Sequence, residues 1–364
     1  MNKFSFQNLK IFFDKYESTL SALTLVSGFI FDYFTLDRVD YLWDNIFIII
    51  YLCVAGTSIL VINLYEEGRL RNNFVEHVYE FLPFTLQFAF GGLFSAFTIF
   101  YSKSASFVSS GIFVLILFTL LVGNEFFKKR YQKLVFQVSL YFVAIFAFSI
   151  YFLPVLLRDM GVAIFLSSGV VSLGLISAFI FLISYFASNR YKESHKHIIL
   201  TILSLYLSIN LLYFLNIIPP IPLSLTIGDV YHLVERQANG SYVVMGEADA
   251  WREKLNLSQR VHLLQEEPVY VFSSVFAPAD LNITIIHDWQ YFDEARDEWV
   301  SANRIVFPIR GGRNAGYRGF SKKENVFAGK WRVDIKTVRG QVVGRVRFNI
   351  EIGDTIYPLN KDVL

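Results

Sequence analysis

Seven largely apolar stretches, at 20–36, 43–64, 82–102, 106–124, 134–157, 161–187 and 197–217, alternate with short polar segments. Crossing the hydrocarbon core of a bilayer takes about 20 mostly apolar residues. Each stretch therefore predicts a membrane-spanning helix, the first being short and carrying Asp32. Only Arg158, Asp159 and Met160 separate the fifth and sixth, which predicts a tight helical hairpin. Ahead of them, Leu9, Phe12, Phe13, Tyr16 and Leu20 recur at helical spacing among Lys10, Asp14, Lys15 and Glu17. That spacing makes residues 1–19 an interfacial amphipathic helix rather than a cleaved signal peptide.

Past residue 217 the pattern changes. Pro219, Pro220 and Pro222 mark residues 218–228 as a stiff junction that cannot continue a helix. Short β-type runs then recur near 229–235, 241–246, 260–264, 268–277, 281–291, 303–309, 315–320, 329–338 and 341–351, with a short helix expected at 248–258. The expected fold is an α-helical polytopic membrane bundle of about seven spans at 20–217, followed by a soluble all-β, sandwich-like domain at 229–364. Its clearest feature is a hairpin. A two-residue Arg339-Gly340 turn would pair Trp331 with Phe348, Val333 with Val346 and Asp334 with Arg345, so that the apolar faces coincide. The same register sets Arg332 against Arg347, which is unfavourable without a neutralising group.

Composition agrees with lipid as the solvent for part of the chain: 54% of residues are hydrophobic and 38 are Phe. Charge then orients the spans. The N-terminus and the even-numbered loops carry Lys3, Lys10, Lys15, Arg69, Arg71, Lys128, Lys129, Arg130, Lys133, Arg190, Lys192 and Lys196, whereas the other side has only Arg38, Lys103 and Arg158. Basic residues stay in the cytoplasm. The expected topology has a cytoplasmic N-terminus and an extracytoplasmic C-terminal domain.

Few residues offer chemistry. Asp32 is the one acid well inside a span, near the outer end of its helix. Asn63, Gln87, Gln137 and Asn210 suit interhelical hydrogen bonds, and Gly91-Gly92 and Ser167-Ser168-Gly169 suit close helix approach. The basic loop after Asn124-Glu125 reads as a topology signal, with anionic-lipid binding as the sharper alternative. Cys53 is the single cysteine, so no thiolate metal site forms within one chain. His195-Lys196-His197 is a weak metal pair, and no catalytic motif names a nucleophile, acid or metal. In the C-terminal domain, twelve basic residues and two acids lie between Arg304 and Arg347, against five and thirteen between Asp229 and Glu298. The candidate basic face is Arg310, Arg313, Arg318, Arg332, Arg345 and Arg347, with the loop Arg310-Gly311-Gly312-Arg313 as an anion contact. Pairing between the two charged halves is the plainer explanation.

The stretch 283–350 resembles the bacterial domain-of-unknown-function 2914 family. The resemblance is carried by His287-x-Trp289, Arg318 and Ser321 in Tyr317-Arg318-Gly319-Phe320-Ser321, Gly329-Lys330-Trp331-Arg332-Val333-Asp334, Gly340 and Phe348. Tyr317 stands where the family usually has Trp. The resemblance implies a small β-domain on the extracytoplasmic face behind several membrane helices, and it implies no activity. Its recurring residues are either fold-defining or ligand-binding. Three functions are weighed: a non-enzymatic envelope protein whose β-domain binds a partner protein or an anionic glycan or lipid; a transporter or channel subunit; and an enzyme on lipid-linked substrates, for which Asp32, Asp37, Asp40 and Asp44 are the local acids. No cofactor and no nucleic-acid partner is expected, and an oligomer is compatible with the sequence.

Overall fold

The computed structural model describes residues 27–36, 40–70, 79, 81–104, 107–123, 133–247, 259–278, 281–310, 316–355 and 357–364. The predicted helices at 1–19 and 248–258, Arg313 and the loop 124–132 lie outside the described residues. The chain divides into two compact units. One is helical and ends at Leu215; the other comprises Asn216–Leu364 with the short segments Lys103–Gly111 and Leu157–Met160.

The helical unit contains α1 (27–35), α2 (Leu42–Glu66), α3 (Leu82–Lys103), α4 (Phe107–Gly123), α5 (Leu134–Leu157), α6 (Val162–Phe186) and α7 (Ser188–Phe214). Five of these, α2, α3, α5, α6 and α7, are long and apolar enough to cross a membrane. Aromatic packing joins α3 to α5: Phe90, Phe94, Phe97 and Phe100 are fully buried, as are Phe142, Phe146 and Tyr151. The Tyr101 hydroxyl donates to the Ala147 carbonyl at 2.9 Å, so the buried O–H is satisfied. The expected interhelical amide bond exists between Asn63 and Gln137, at 2.7 Å. A Cβ on Gly92 would lie 2.9 Å from the Tyr51 ring, and one on Gly169 would lie 3.0 Å from Tyr206. Both glycines thus serve the close packing read from the sequence. Asp32 accepts a hydrogen bond from Ser95 of α3 at 2.5 Å, which gives it an interhelical partner.

One helix boundary differs from expectation. Helix α7 starts at Ser188, nine residues before 197, and a single residue, Ala187, separates it from α6. Arg190, Lys192 and Lys196 therefore occupy its first turns rather than a loop. The Glu67 carboxylate explains the early start: it accepts from the N–H groups of Asn189 and Arg190 at 3.0 and 3.3 Å. These donors have no partner within their own helix, and a carboxylate there is favourable.

The β-rich unit has eleven strands among the described residues: β1 (Ser224–Tyr231), β2 (Leu233–Arg236), β3 (Tyr242–Glu247), β4 (Gln259–Leu263), β5 (Val269–Phe276), β6 (Asn282–Asp293), β7 (Glu298–Arg310), β8 (Tyr317–Lys323), β9 (Gly329–Thr337), β10 (Val342–Ile352) and β11 (Leu359–Val363). They form three sheets, in the orders β1-β5-β8, β4-β10-β9-β6-β7 and β11-β3-β2. The main core draws Val230, Val271 and Val275 from the first sheet and Ile285, Trp289, Trp331, Val333, Val346 and Phe348 from the second. A smaller core places Tyr242 and Val244 of the third sheet with Phe272 and Phe320 of the first. The first sheet thus contributes apolar side chains from both faces.

The predicted hairpin register holds: Trp331 pairs with Phe348, Val333 with Val346, Asp334 with Arg345 and Arg332 with Arg347. Its turn is different. The Thr337 N–H donates to the Gln341 carbonyl and the Gly340 N–H to the Thr337 carbonyl, both at 2.9 Å, which makes a three-residue loop. Gly340 ends it at φ +85°, a conformation that favours glycine. A register shift between Val342 and Gly344 takes up the extra residue and restores the pairing expected for a shorter turn. The single strand expected at 229–235 is two strands breaking at His232, and β1 begins at Ser224, inside the proposed junction. Strand β11 was not anticipated.

Candidate functional site

Strand β6 divides two kinds of chemistry by the alternation of a pleated strand. His287 and Trp289 point into the main core, and both are fully buried. The His287 ring nitrogens meet Ser273 Oγ and Ser321 Oγ, each at 2.8 Å. Trp289 donates its indole N–H to the same Ser321 oxygen at 3.0 Å. Phe307 packs edge-on against the imidazole. Burial pushes the His287 pKa down to about 3, so the ring is neutral, with one nitrogen donating and the other accepting. His287, Trp289 and Ser321 thus form a buried polar clasp between the first and second sheets. Trp331 completes this interior, donating to the Phe327 carbonyl at 2.9 Å.

The opposite face of the five-stranded sheet is cationic around two buried carboxylates. Asp288 on β6 stands directly opposite Asp334 on β9. Both are at most 2% exposed. Lys336 Nζ reaches Asp288 at 2.6 Å and Asp334 at 3.3 Å. Arg345 forms a two-pronged pair with Asp334. Asp288 also accepts from Ser301 at 2.6 Å and Gln290 at 2.5 Å, with Arg304 at 3.5 Å. Burial alone would raise the Asp288 pKa; the hydrogen bonds from Lys336, Ser301 and Gln290 outweigh it and hold the carboxyl below its usual range.

Arg332 sits beside this network without a carboxylate of its own. Its Nε donates to the neutral Gln290 side chain at 2.8 Å, and its guanidinium lies 4.2 Å from the Trp299 ring centroid. Across the hairpin is Arg347, which is exposed and has no hydrogen bond or ion pair among the described residues. Burial, and then the charges of Arg345 and Arg347, depress the Arg332 pKa below the usual guanidinium range.

Of the six arginines proposed as one basic face, the structure brings together Arg332, Arg345 and Arg347. Arg318 belongs to β8 in another sheet, where it pairs with Ser274 of β5. Arg310 ends β7, and only its backbone is described; Arg313 lies outside the described residues. Sequence reasoning missed Asp288, Gln290, Ser301, Lys336 and Trp299. Alternation from His287 and Trp289 does place Asp288 and Gln290 on the other face. It does not reveal that β9 and β7 flank β6. A second polar cluster was also missed: His232 meets Glu267 at 2.9 Å and Glu247 at 3.0 Å, and His262 meets Glu247 at 2.7 Å. Burial works against the Glu247 charge, but hydrogen bonds from His262 and His232 prevail and lower its pKa. Among the described residues no group of three or more His, Cys, Asp or Glu side chains is placed to hold a metal ion. His195 and His197 are two apart on α7, a spacing that points side chains to different helix faces.

The family described as "Protein of unknown function (DUF2914)" matches residues 282–350, the span that runs through β6, β7, β8, β9 and most of β10. No curated protein matches the chain significantly. Among solved structures, the chain is similar to Pseudomonas fluorescens alkylpurine DNA glycosylase AlkC bound to DNA containing an abasic site analog. The identity is 10%, over 86% of this chain and 99% of that one, with a TM-score of 0.22, and at that score the likeness carries no argument.

Proposed function

We propose that this is a multi-pass protein of a bacterial plasma membrane whose β-domain, a sandwich with a third sheet on its back, binds an anionic polymer of the envelope without catalysis. In this reading the N-terminus is cytoplasmic, seven helices span the membrane and the β-domain is extracytoplasmic. The observation that carries it is Arg332 and Arg347, register partners on β9 and β10: among the described residues neither has an ion pair, Arg332 being held by the neutral Gln290 and the Trp299 ring with Asp334 and Asp288 acting on it only at longer range. Like charges at paired positions disfavour each other, and an external anion bound there would relieve them. An acidic partner protein would use the same face.

The test uses the full-length protein in zwitterionic nanodiscs and a fluorescent polyuronate as the probe. Changing both Arg332 and Arg347 to Gln should weaken binding at least about tenfold, since a charge-assisted hydrogen bond contributes about 1.5–3 kcal/mol. Wild-type binding should fall with added salt. Equal affinity of the double variant and the wild type would remove this face from recognition.

A further inference from the structure

A cavity of about 720 Å³ lies in the helical unit where the start of α5 meets α7. Two cations line it, Lys133 immediately before α5 and Arg190 in the first turns of α7. Ser194 and Thr201 add hydroxyls, and Val135 and Phe136 add apolar wall. Arg190, Ser194 and Thr201 recur at i, i+4 and i+11, which keeps them near one face of α7. Arg190 is already paired with Glu66. Lys133 is exposed and has no ion-pair partner among the described residues.

The cavity is amphiphilic in a directed way. Beyond Thr201 the same face of α7 continues with the half-buried Leu205 and Leu212, while the exposed Leu200, Leu203, Leu207 and Leu211 form a separate stripe further round the helix. A free inorganic anion needs the cations and hydroxyls but gains nothing from the apolar positions that follow them. A phospholipid uses both, since its phosphate takes the charges and its acyl chain covers Leu205 and Leu212. We infer that this cavity is a site for an anionic phospholipid, with Lys133 and Arg190 at the phosphate, Ser194 and Thr201 donating to its oxygens, and one acyl chain lying along α7. The site is independent of the β-domain and its ligand.

Native mass spectrometry of the delipidated full-length protein in non-ionic detergent tests this, with phosphatidylglycerol, phosphatidylcholine and inorganic phosphate as probes. Phosphatidylglycerol should be retained over phosphatidylcholine. Lys133→Gln should cost about fivefold in phosphatidylglycerol affinity, from about 1 kcal/mol per basic residue near anionic lipid. Ser194→Phe, which fills the cavity without changing charge, should abolish the preference. Neither variant replaces a member of the Arg190–Glu66 pair, and the circular dichroism of each checks that the bundle is intact. An undiminished preference in both variants overturns the site. Displacement of phosphatidylglycerol by equimolar inorganic phosphate would make it a free-anion site and overturn the lipid assignment.

Discussion

At the scale of single residues, neighbours on β6 serve opposite ends. Asp288 is held charged by Lys336, Ser301 and Gln290, while His287 next to it is held neutral. This neutrality has a sign. The folded His287 pKa is about 3, below its ordinary 6.5, so an unfolded chain binds a proton that the folded one refuses. The stability from burying neutral His287 is complete above pH 6.5 and drains as pH falls toward about 3. The slope is at most about 1.4 kcal/mol per pH unit. Asp288 and Glu247 act in the same direction but lower down. Both have depressed pKa values, so their contribution is present above the ordinary carboxylate range and lost as pH falls through the lowered values. Thermal unfolding of the full-length protein from pH 7 to 4.5, followed by tryptophan fluorescence, should therefore show a falling midpoint. A His287→Asn variant, though less stable throughout, should show a flatter profile. Parallel profiles for the two proteins would mean that His287 takes up a proton in the folded state.

Between elements, the spacing of the sheets depends on positions without side chains. A Cβ on Gly344 would collide with Leu225 Cδ2 and lie 2.7 Å from Leu225 Cβ, and the second contact cannot be relieved by a rotamer change. Gly344→Ala should force β1 and β10 apart and cost about 1–3 kcal/mol, as overpacking does. Faster amide hydrogen exchange across β1, β5 and β10, with β2 and β3 unchanged, would locate the effect. Unaltered exchange in the variant would show that Leu225 gives way freely. Strand parity made the β9–β10 register legible from the sequence, because one alignment alone brings Trp331 to Phe348 and Val333 to Val346. It could not give the turn, because a three-residue loop with a later register shift yields the same pairing as a two-residue loop. Nor could it bring Glu247 to His232 and His262, since those contacts depend on how β2, β3 and β4 are arranged in space. The helices were legible to within a few residues wherever apolar content marks the boundary. The start of α7 was not, because the carboxylate of Glu67, just past α2, fixes it.

At the scale of the whole chain, the proposed topology rests on where basic residues fall, and the revised start of α7 leaves that argument standing. Arg190, Lys192 and Lys196 move from a loop into the first turns of a 27-residue helix, longer than the roughly 20 residues a bilayer requires. Its polar start can project from the membrane while the apolar remainder spans it. In the proposed seven-span topology the positive charge therefore stays on the same side, with Lys133 and Arg69. Among the described residues five helices meet the length and hydropathy needed to span; the proposed seven add the shorter α4 and the first apolar stretch. Five and seven are both odd, and in each case the two termini lie on opposite sides. Alkaline phosphatase fused after Leu364 should accordingly be active, and a green fluorescent protein at the same place should be dark. A dark phosphatase with a bright fluorescent fusion would require an even number of crossings from a cytoplasmic N-terminus. In that case the Arg332–Arg347 face would meet cytoplasmic anions, and the search for its ligand would move to that compartment.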